Sequence, residues 1–395
     1  MFENNNTART SKTGTFRKTS LAAALSLMAG GMASPAMAEL SFETDDGWTF
    51  GASGHIPVFL VAQDEDDGDT NIGVGSGFNP ASLNLSFSAP TRNGLDVSGH
   101  LQINNHVGVG GNNISGFGSR VAKIDVAGDF GTVSMGQGFG LVGTPAIGDT
   151  GSAMGVGLMP SNSSATLATN GRIGTGYKYA DFQPRVAYFS PRMGGVQFAV
   201  AVVDPDNAGD QDFGDDLETS STKENPRIEY RLDYATDNFS LWTSGGFQSV
   251  DDIVVTDTSD PDQSVIVSDL GSETMSTIDF GGSVSAGNFN VRANYSISEN
   301  TGPVVFVAAP DEEYDQWYVE GTYDAGIHTF GASYGEGEAD GADGTNELTM
   351  LFSRHRVTDD LTLMVELQDY VGEGGGTFMP QREYTALIVG SQFNF

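Results

Sequence analysis

Two short motifs in this sequence match signatures of cofactor binding and of catalysis. Gly138–Gly143 reads G-x-G-x-x-G after a predicted strand, which is the dinucleotide-binding pattern. That site needs a helix whose N-terminus holds the pyrophosphate, but the following Thr144–Gly151 does not predict a helix. Gly331–Gly335 reads G-x-S-x-G, yet it ends an alternating strand and lacks the strand-to-helix turn that exposes a nucleophilic serine. Neither motif predicts an enzyme.

A long segment, Phe139–Gln183, differs from the other long connections in its charge. It spans 45 residues and carries only Asp149, Arg172, Lys178 and Asp181 as formal charges. Connections longer than about 15 residues are usually functional when they lack secondary structure of their own. A loop in the same solvent as its acidic neighbours should resemble them in composition. We therefore predict that this segment folds back into the lumen of a closed β-barrel and narrows it.

The bulk composition excludes several classes of protein. The 395 residues include 18 Lys and Arg against 52 Asp and Glu, which gives a formal charge of −34. Nucleic acid is excluded as a partner, because no basic surface exists to displace counterions from phosphates. The absence of cysteine excludes a disulfide framework and cysteine-ligated zinc.

Residues 1–38 have the pattern of a signal peptide. A basic segment precedes the apolar run Leu21–Ala33, and an A-x-A site ends at Ala38. The run is too short to span a bilayer as a helix, which needs about 20 residues. We expect cleavage after Ala38, which leaves 39–395 as one β-barrel domain. Cleavage removes four basic residues and one acid, so the formal charge of the mature chain is −37.

The remainder of the chain alternates between apolar and polar residues with a period of two, which predicts strands. We predict sixteen strands, from 48–61 to 383–395. In Arg227–Tyr234 the two faces separate completely, although the pattern alone does not say which face is inside. Every second connection is short, whereas the alternate ones are long and mostly acidic; Asp204–Pro226 carries eight acids and one lysine. Short turns at one end and long loops at the other predict an antiparallel outer-membrane barrel, and this strand number leaves an aqueous channel.

Three motifs, taken in order, connect this pattern to a known family. Gly128–Gly136 leads into the fifth predicted strand, Tyr188–Pro191 and a following glycine pair form the turn after the long segment, and the last strand ends at Phe395. In these features the chain resembles the general bacterial porins, a family of trimeric sixteen-stranded outer-membrane proteins. The resemblance covers essentially the whole mature chain. The family's Asn-Ser before that turn is replaced by Pro184 and Arg185.

The resemblance implies a constriction in which the long loop faces basic residues of the wall and filters solutes by size and charge. Asp149 is the acid in the middle of the loop, and His55 resembles the family's basic position in the first strand. Arg120 and Lys123 have opposite strand parity, so both cannot face the lumen without a bulge. For each candidate, a role in the vestibule or in loop packing is an equal alternative. The candidate constriction residues are His55, His100, Arg120, Lys123, Asp149, Arg172 and Arg185.

Two functional hypotheses follow. The first is a homotrimeric porin in outer-membrane lipid, without a cofactor, that passes ions and small hydrophilic solutes. We expect a modest cation preference that weakens below about pH 6, as His55 and His100 gain charge. The alternative is a barrel that acts as a hydrolase or an adhesin, although the five histidines give no persuasive catalytic partnership.

Two further features concern the surface and assembly. The acidic stretch Asp64–Asp69 does not have the spacing of an EF-hand, so diffuse solvation of the surface, or loose divalent-ion bridging between lipid head groups, is favoured over a defined calcium site. Phe395 ends the strand that must pair with the first one, and we expect it to act as an assembly signal.

Overall fold

A computed structural model of the protein describes residues 40–65, 68, 70–76, 80–105, 107, 118–152, 171–205, 211–212, 217–220, 223–257, 265–377, 379 and 381–395. The predicted signal peptide, 1–38, lies outside the described residues. Among the residues that are described, no helix has the length and apolar character needed to cross a membrane.

Sixteen antiparallel strands form a closed barrel, as the alternation predicted. Their bounds are β1 Thr49–Glu65, β2 Ala81–Ser88, β3 Asp96–Asn105, β4 Ala122–Gly128, β5 Gly131–Phe139, β6 Phe182–Phe189, β7 Val196–Val203, β8 Arg227–Ala235, β9 Phe239–Asp257, β10 Val265–Ala286, β11 Phe289–Thr301, β12 Ala308–Ala325, β13 His328–Ala339, β14 Asn346–Arg356, β15 Leu361–Gly372 and β16 Tyr384–Asn394. Shorter strands extend the sheet at Leu40–Glu43, Asn71–Gly75, Gln211–Asp212, Leu217–Ser220 and Lys223–Glu224.

The barrel closes between β1 and β16. Their pairing runs from His55 opposite Asn394 to Glu65 opposite Tyr384, and β1 pairs with β2 on its other side. Closure satisfies the backbone groups of both terminal strands, which have no other partner in the hydrocarbon of a bilayer.

Two glycine–phenylalanine contacts fit this seam together. Phe59 of β1 lies opposite Gly390 of β16, and a Cβ atom on Gly390 would lie only 2.3 Å from the Phe59 ring. Five residues before Phe59 in β1, Gly54 exchanges backbone hydrogen bonds of 2.7 and 2.9 Å with Phe395. A Cβ atom on Gly54 would lie 2.6 Å from the Phe395 ring. On each strand, a glycine therefore leaves the space that an aromatic ring of the other strand occupies.

The polar face of the strands points inward, which settles the orientation that the sequence left open. In β8 the charged side chains of Arg227 and Arg231 are buried, whereas Tyr230 and Leu232 are 38% and 47% exposed. An apolar exterior around a polar interior is the arrangement of a membrane barrel that encloses water.

Aromatic residues gather at the end of the barrel that carries the short turns. The rings of Phe289 and Tyr323 lie 4.6 Å apart between centroids, and those of Tyr234 and Phe239 lie 6.3 Å apart across their turn. These four side chains face outward and are exposed. They form the interfacial girdle that such a barrel needs on this side.

Deletion of Phe395 should lower the amount of folded protein in the membrane, because it removes the last backbone pair of the seam and the ring that covers Gly54. The channels that do fold should keep a normal conductance, because the ring is on the outer face. The measurement is the folded fraction on unboiled detergent gels. Phe395→Tyr, which keeps an aromatic ring, is the matched control and should fold like the wild type. A normal folded level for the deletion variant would contradict the prediction.

Candidate pore constriction

The first limb of the long loop leaves β5 at Phe139 and lies against the inner wall. The Leu141 N–H donates to the Glu229 carboxylate at 2.7 Å, and the Gly143 N–H donates to the Ser244 hydroxyl at 3.1 Å. These partners belong to β8 and β9, beyond the strands that the loop connects. The described limbs of the loop, 139–152 and 171–183, therefore fold into the lumen, as its low charge predicted; residues 153–170 lie outside the described residues.

Further along, wall side chains hold the loop by its carbonyl groups. The Arg292 guanidinium donates to Pro145 O at 2.7 Å, and the Tyr318 hydroxyl donates to Ala146 O at 2.7 Å. Both donors are buried. The loop backbone thus supplies acceptors to buried donors of the wall.

Glu320 of β12 forms the tightest clamp on the loop. Its two carboxylate oxygens accept the N–H groups of Thr150 and Gly151 at 2.6 and 2.9 Å. Arg354 of β14 donates to the carbonyl oxygen of the same Thr150. A buried carboxylate that accepts two backbone N–H groups makes strong, charge-assisted hydrogen bonds.

Asp149 precedes the residues that Glu320 binds, and its carboxylate accepts hydrogen bonds from other residues of the loop. It accepts a hydrogen bond from the Tyr177 hydroxyl at 2.8 Å and one from the Ser152 hydroxyl at 3.3 Å. Burial, with the like charge of Glu320 nearby, raises the pKa of Asp149 to about 6. The carboxylate is therefore ionised at pH 7 and becomes neutral as the pH falls through 6.

Arg172, on the returning limb, is a loop anchor. Its guanidinium is fully buried and donates to the Ser333 hydroxyl from Nε at 3.1 Å and to Leu348 O from Nη1 at 2.5 Å. Of the two roles that the sequence left open for this residue, the contacts correspond to loop packing.

Lys178 fastens the same limb to the top of β11. Its ammonium donates to the Thr301 hydroxyl at 3.2 Å, to Val305 O at 3.3 Å and to Gly302 O. Burial lowers the pKa of Lys178 to about 7. Its charge is therefore partial at neutral pH and full in mild acid.

Three of the predicted basic side chains lie in one row on the wall. His100, Lys123 and Arg185 follow one register across β3, β4 and β6, with Gly136 of β5 between the last two. Neighbouring strands are about 4.8 Å apart, so the three predicted residues lie on one side of the lumen. Asp125 accepts from the Lys123 ammonium at 2.8 Å and lies 3.5 Å from His100 Nε2.

His55 and Arg120 do not lie in this row. His55 faces inward on β1, where its Nδ1 lies 3.0 Å from the Ser82 hydroxyl. It pairs with β2 four residues away from the partner of His100, an offset of roughly 13 Å along the strands. The Arg120 guanidinium lies 5.3 Å from the ring centroid of Phe182, which shares its outward parity with the exposed Val186. Of the two residues with opposite strand parity, Lys123 therefore faces the lumen and Arg120 does not.

Several charged residues that touch the loop were not among the candidates from the sequence. The most important are Glu229, Arg292, Glu320 and Arg354. Strand parity assigns each of them to the polar face, but parity alone does not say which polar residues the loop reaches. Their roles depend on the path of the loop, which has no periodic signal.

The layer of the lumen that the loop occupies is close to electrical balance among the described residues. It holds nine acidic and eight basic side chains, histidines aside. The acids are Asp125, Asp149, Asp181, Glu229, Asp233, Asp279, Glu312, Glu320 and Glu366, and the bases are Lys123, Arg172, Lys178, Arg185, Arg227, Arg231, Arg292 and Arg354. Many are paired directly; Arg227, for example, binds Asp181 at 2.8 Å and Glu229 at 2.9 Å.

A sixteen-stranded barrel with a loop held inside its polar lumen defines a diffusion channel of the outer membrane. Residues 21–375 match the family model described as Gram-negative porin. The chain belongs to the Gram-negative porin family. No curated protein gives a significant sequence match.

Solved structures with the same fold are porins of low sequence identity. An anion-selective porin from Comamonas acidovorans matches with a TM-score of 0.64 at 15% identity, covering 88% of this chain and 100% of that chain. OmpF of Salmonella typhi matches with a TM-score of 0.60 at 12% identity, with coverages of 90% and 100%. The trimer form of OmpT from Vibrio cholerae matches with a TM-score of 0.56 at 13% identity, with coverages of 89% and 100%. At these identities the likeness concerns the fold alone.

Glu320→Gln should loosen the loop and change conduction. The amide keeps one acceptor oxygen and turns an N–H donor toward a second N–H donor, so one charge-assisted hydrogen bond, worth about 2 kcal/mol, is lost. We expect a higher mean single-channel conductance, more frequent transitions between conductance levels, and entry of larger sugars in liposome swelling. The matched control is Glu347→Gln, because Glu347 has outward parity on β14 and accepts from Tyr334 on the outside at 2.9 Å. Equal conductance traces for the two variants would show that the clamp does not set the aperture.

Proposed function

We propose that this porin passes ions and small hydrophilic solutes with a modest preference for cations, and that the acidic mouth sets the preference. The observation that carries the proposal is the near balance of charge around the loop, nine acids against eight bases among the described residues. A constriction with nearly equal numbers of acidic and basic side chains filters solutes by size and discriminates little between cations and anions. The ion preference then depends on the charges in the rest of the channel.

The long connections at the opposite end from the short turns are strongly acidic. Gln63–Ala81 carries five acids and Ser249–Thr274 carries seven, and neither has a Lys or Arg. With a mature charge of −37, most of it in such loops, the field at the entrance concentrates cations. We propose that these loops also bridge loosely to lipid phosphates through divalent ions; Asp66, Asp67 and Asp69 lie outside the described residues.

Planar-bilayer recording of the purified protein tests the channel and its ion preference together. We expect discrete conductance steps and a reversal potential of cation-selective sign across a potassium chloride gradient at pH 7.5. The preference should fade as salt rises, because the Debye length falls from about 8 Å at physiological salt to roughly 3 Å at 1 M. Absence of steps would favour the hydrolase or adhesin alternative. Steps with anion preference at low salt would reject the role of the mouth and leave the channel intact.

Acidification provides a second, independent test of the predicted cation preference. As the pH falls from 7.5 to 5.5, Asp149, with a pKa of about 6, loses negative charge, and Lys178, with a pKa of about 7, gains positive charge. Both changes oppose cations, so the reversal potential should shrink. The variant Asp149→Asn should show a smaller pH response, and Glu347→Gln should respond like the wild type.

We further propose a homotrimer, secreted after cleavage behind Ala38. The family resemblance supports the trimer, and one structural neighbour is titled a trimer form. The basic segment, the apolar run Leu21–Ala33 and the A-x-A site support the cleavage. The protein should migrate as a compact oligomer on unboiled detergent gels and collapse to a monomer on boiling, and the mature chain should begin at Glu39. A monomer mass by light scattering in mild detergent would reject the trimer, and an intact leader by N-terminal sequencing would reject the cleavage.

A further inference from the structure

Two histidines that have no role in the channel meet on neighbouring strands. His328 begins β13 and His355 lies one residue before the end of β14, and the two are direct cross-strand partners. Their Nδ1 atoms lie 3.0 Å apart and their ring centroids 4.4 Å apart. The sequence showed five histidines without a persuasive partnership; the fold creates this one.

The pair lies on the outer face at the short-turn end of the barrel. His328 has the strand parity of Phe330, which is 49% exposed, and His355 has that of Leu351, which is 56% exposed. The Arg356 N–H donates to Ile327 O at 2.9 Å, so the next pair of residues carries the ladder hydrogen bond. Partners without a ladder bond have the closer side chains. In an outer-membrane barrel this end faces the periplasm, and the imidazoles are open to it.

The immediate neighbours leave room around the two rings. Ala325 lies beside His328 on β12, and Leu363 lies beside His355 on β15. The carboxylate of the nearby Asp324 accepts from the Thr329 hydroxyl at 2.6 Å. The described residues contain no set of three or more His, Cys, Asp or Glu side chains placed to hold a metal. Any ion bound by the two imidazoles must therefore complete its coordination with water.

The distance between the two nitrogens matches chelation by a divalent transition metal. Nitrogens about 2.0–2.1 Å from one ion are about 3.0 Å apart when the angle between them is near 90°, and about 3.4 Å apart at a tetrahedral angle. Imidazole ligands at right angles suit Cu²⁺ and Ni²⁺. We propose that His328 and His355 form a bidentate surface site for such an ion at the periplasmic rim. The 3.0 Å separation allows one Nδ1–H to donate to the other Nδ1 in the absence of metal. Metal binding needs both Nδ1 lone pairs, so this proton moves through water to Nε2 of the same ring.

The test is Cu²⁺ titration of the full mature protein in detergent, read by electron paramagnetic resonance. We expect one ion per chain with hyperfine coupling to two imidazole nitrogens. His328→Gln and His355→Gln should each weaken binding about tenfold or more, because the second ligand of a chelate binds intramolecularly. The double variant should lose binding at this position altogether, because no imidazole ligand remains. His55→Gln, the same substitution inside the lumen, should leave the affinity at the pair unchanged.

Two outcomes would overturn the site. The first is a wild-type spectrum with coupling to a single nitrogen, or no binding at micromolar Cu²⁺. The second is independent behaviour, in which each single variant removes half of the bound metal and the double variant removes all of it. Unboiled detergent gels check that every variant is folded. As a second readout, Ni²⁺ should raise the unfolding temperature of the wild type and of His55→Gln, but not that of His328→Gln.

Discussion

The structure depends on one requirement, that every backbone polar group within the bilayer finds its partner inside the chain. A sheet of sixteen strands meets it only when β1 pairs with β16. Once the wall is closed, the strand period of two assigns each side chain to lipid or to lumen. The polar side chains of every strand then face an interior of limited width. Charged side chains such as those of Glu229 and Glu320 are buried there. Such charges need partners within reach.

The loop supplies those partners with its backbone. Glu229 and Glu320 accept N–H groups from it, and Arg292 and Tyr318 donate to its carbonyls. A segment rich in small residues suits this task, since its own side chains do not compete for the wall. The path of the described loop segments thus depends on charges of β8 to β14 as much as on the loop itself.

The sequence predicted the elements that follow local rules. Alternation located the sixteen strands, the difference in loop length identified the two ends, and the scarcity of charge in Phe139–Gln183 indicated an inward loop. It did not predict the contacts between distant strands. Arg172 was a candidate constriction charge because it is one of few charges in the loop, yet its donors are engaged by Ser333 and Leu348. The meeting of His328 with His355 depends likewise on register, which single strands do not encode.

The seam between β1 and β16 also bears on how the barrel ends its folding. Phe59 fits over Gly390, and Phe395 fits over Gly54; the first contact is inside the wall and the second outside. A slip of two residues keeps every side chain on its proper face, so the hydrophobic pattern alone tolerates it. The same slip would press the Phe59 ring against Ile388 or Gln392, where a Cβ occupies its place. Paired aromatic and glycine positions therefore act as a register check on the last strand to join, and they fix the stagger of the barrel, on which its diameter depends.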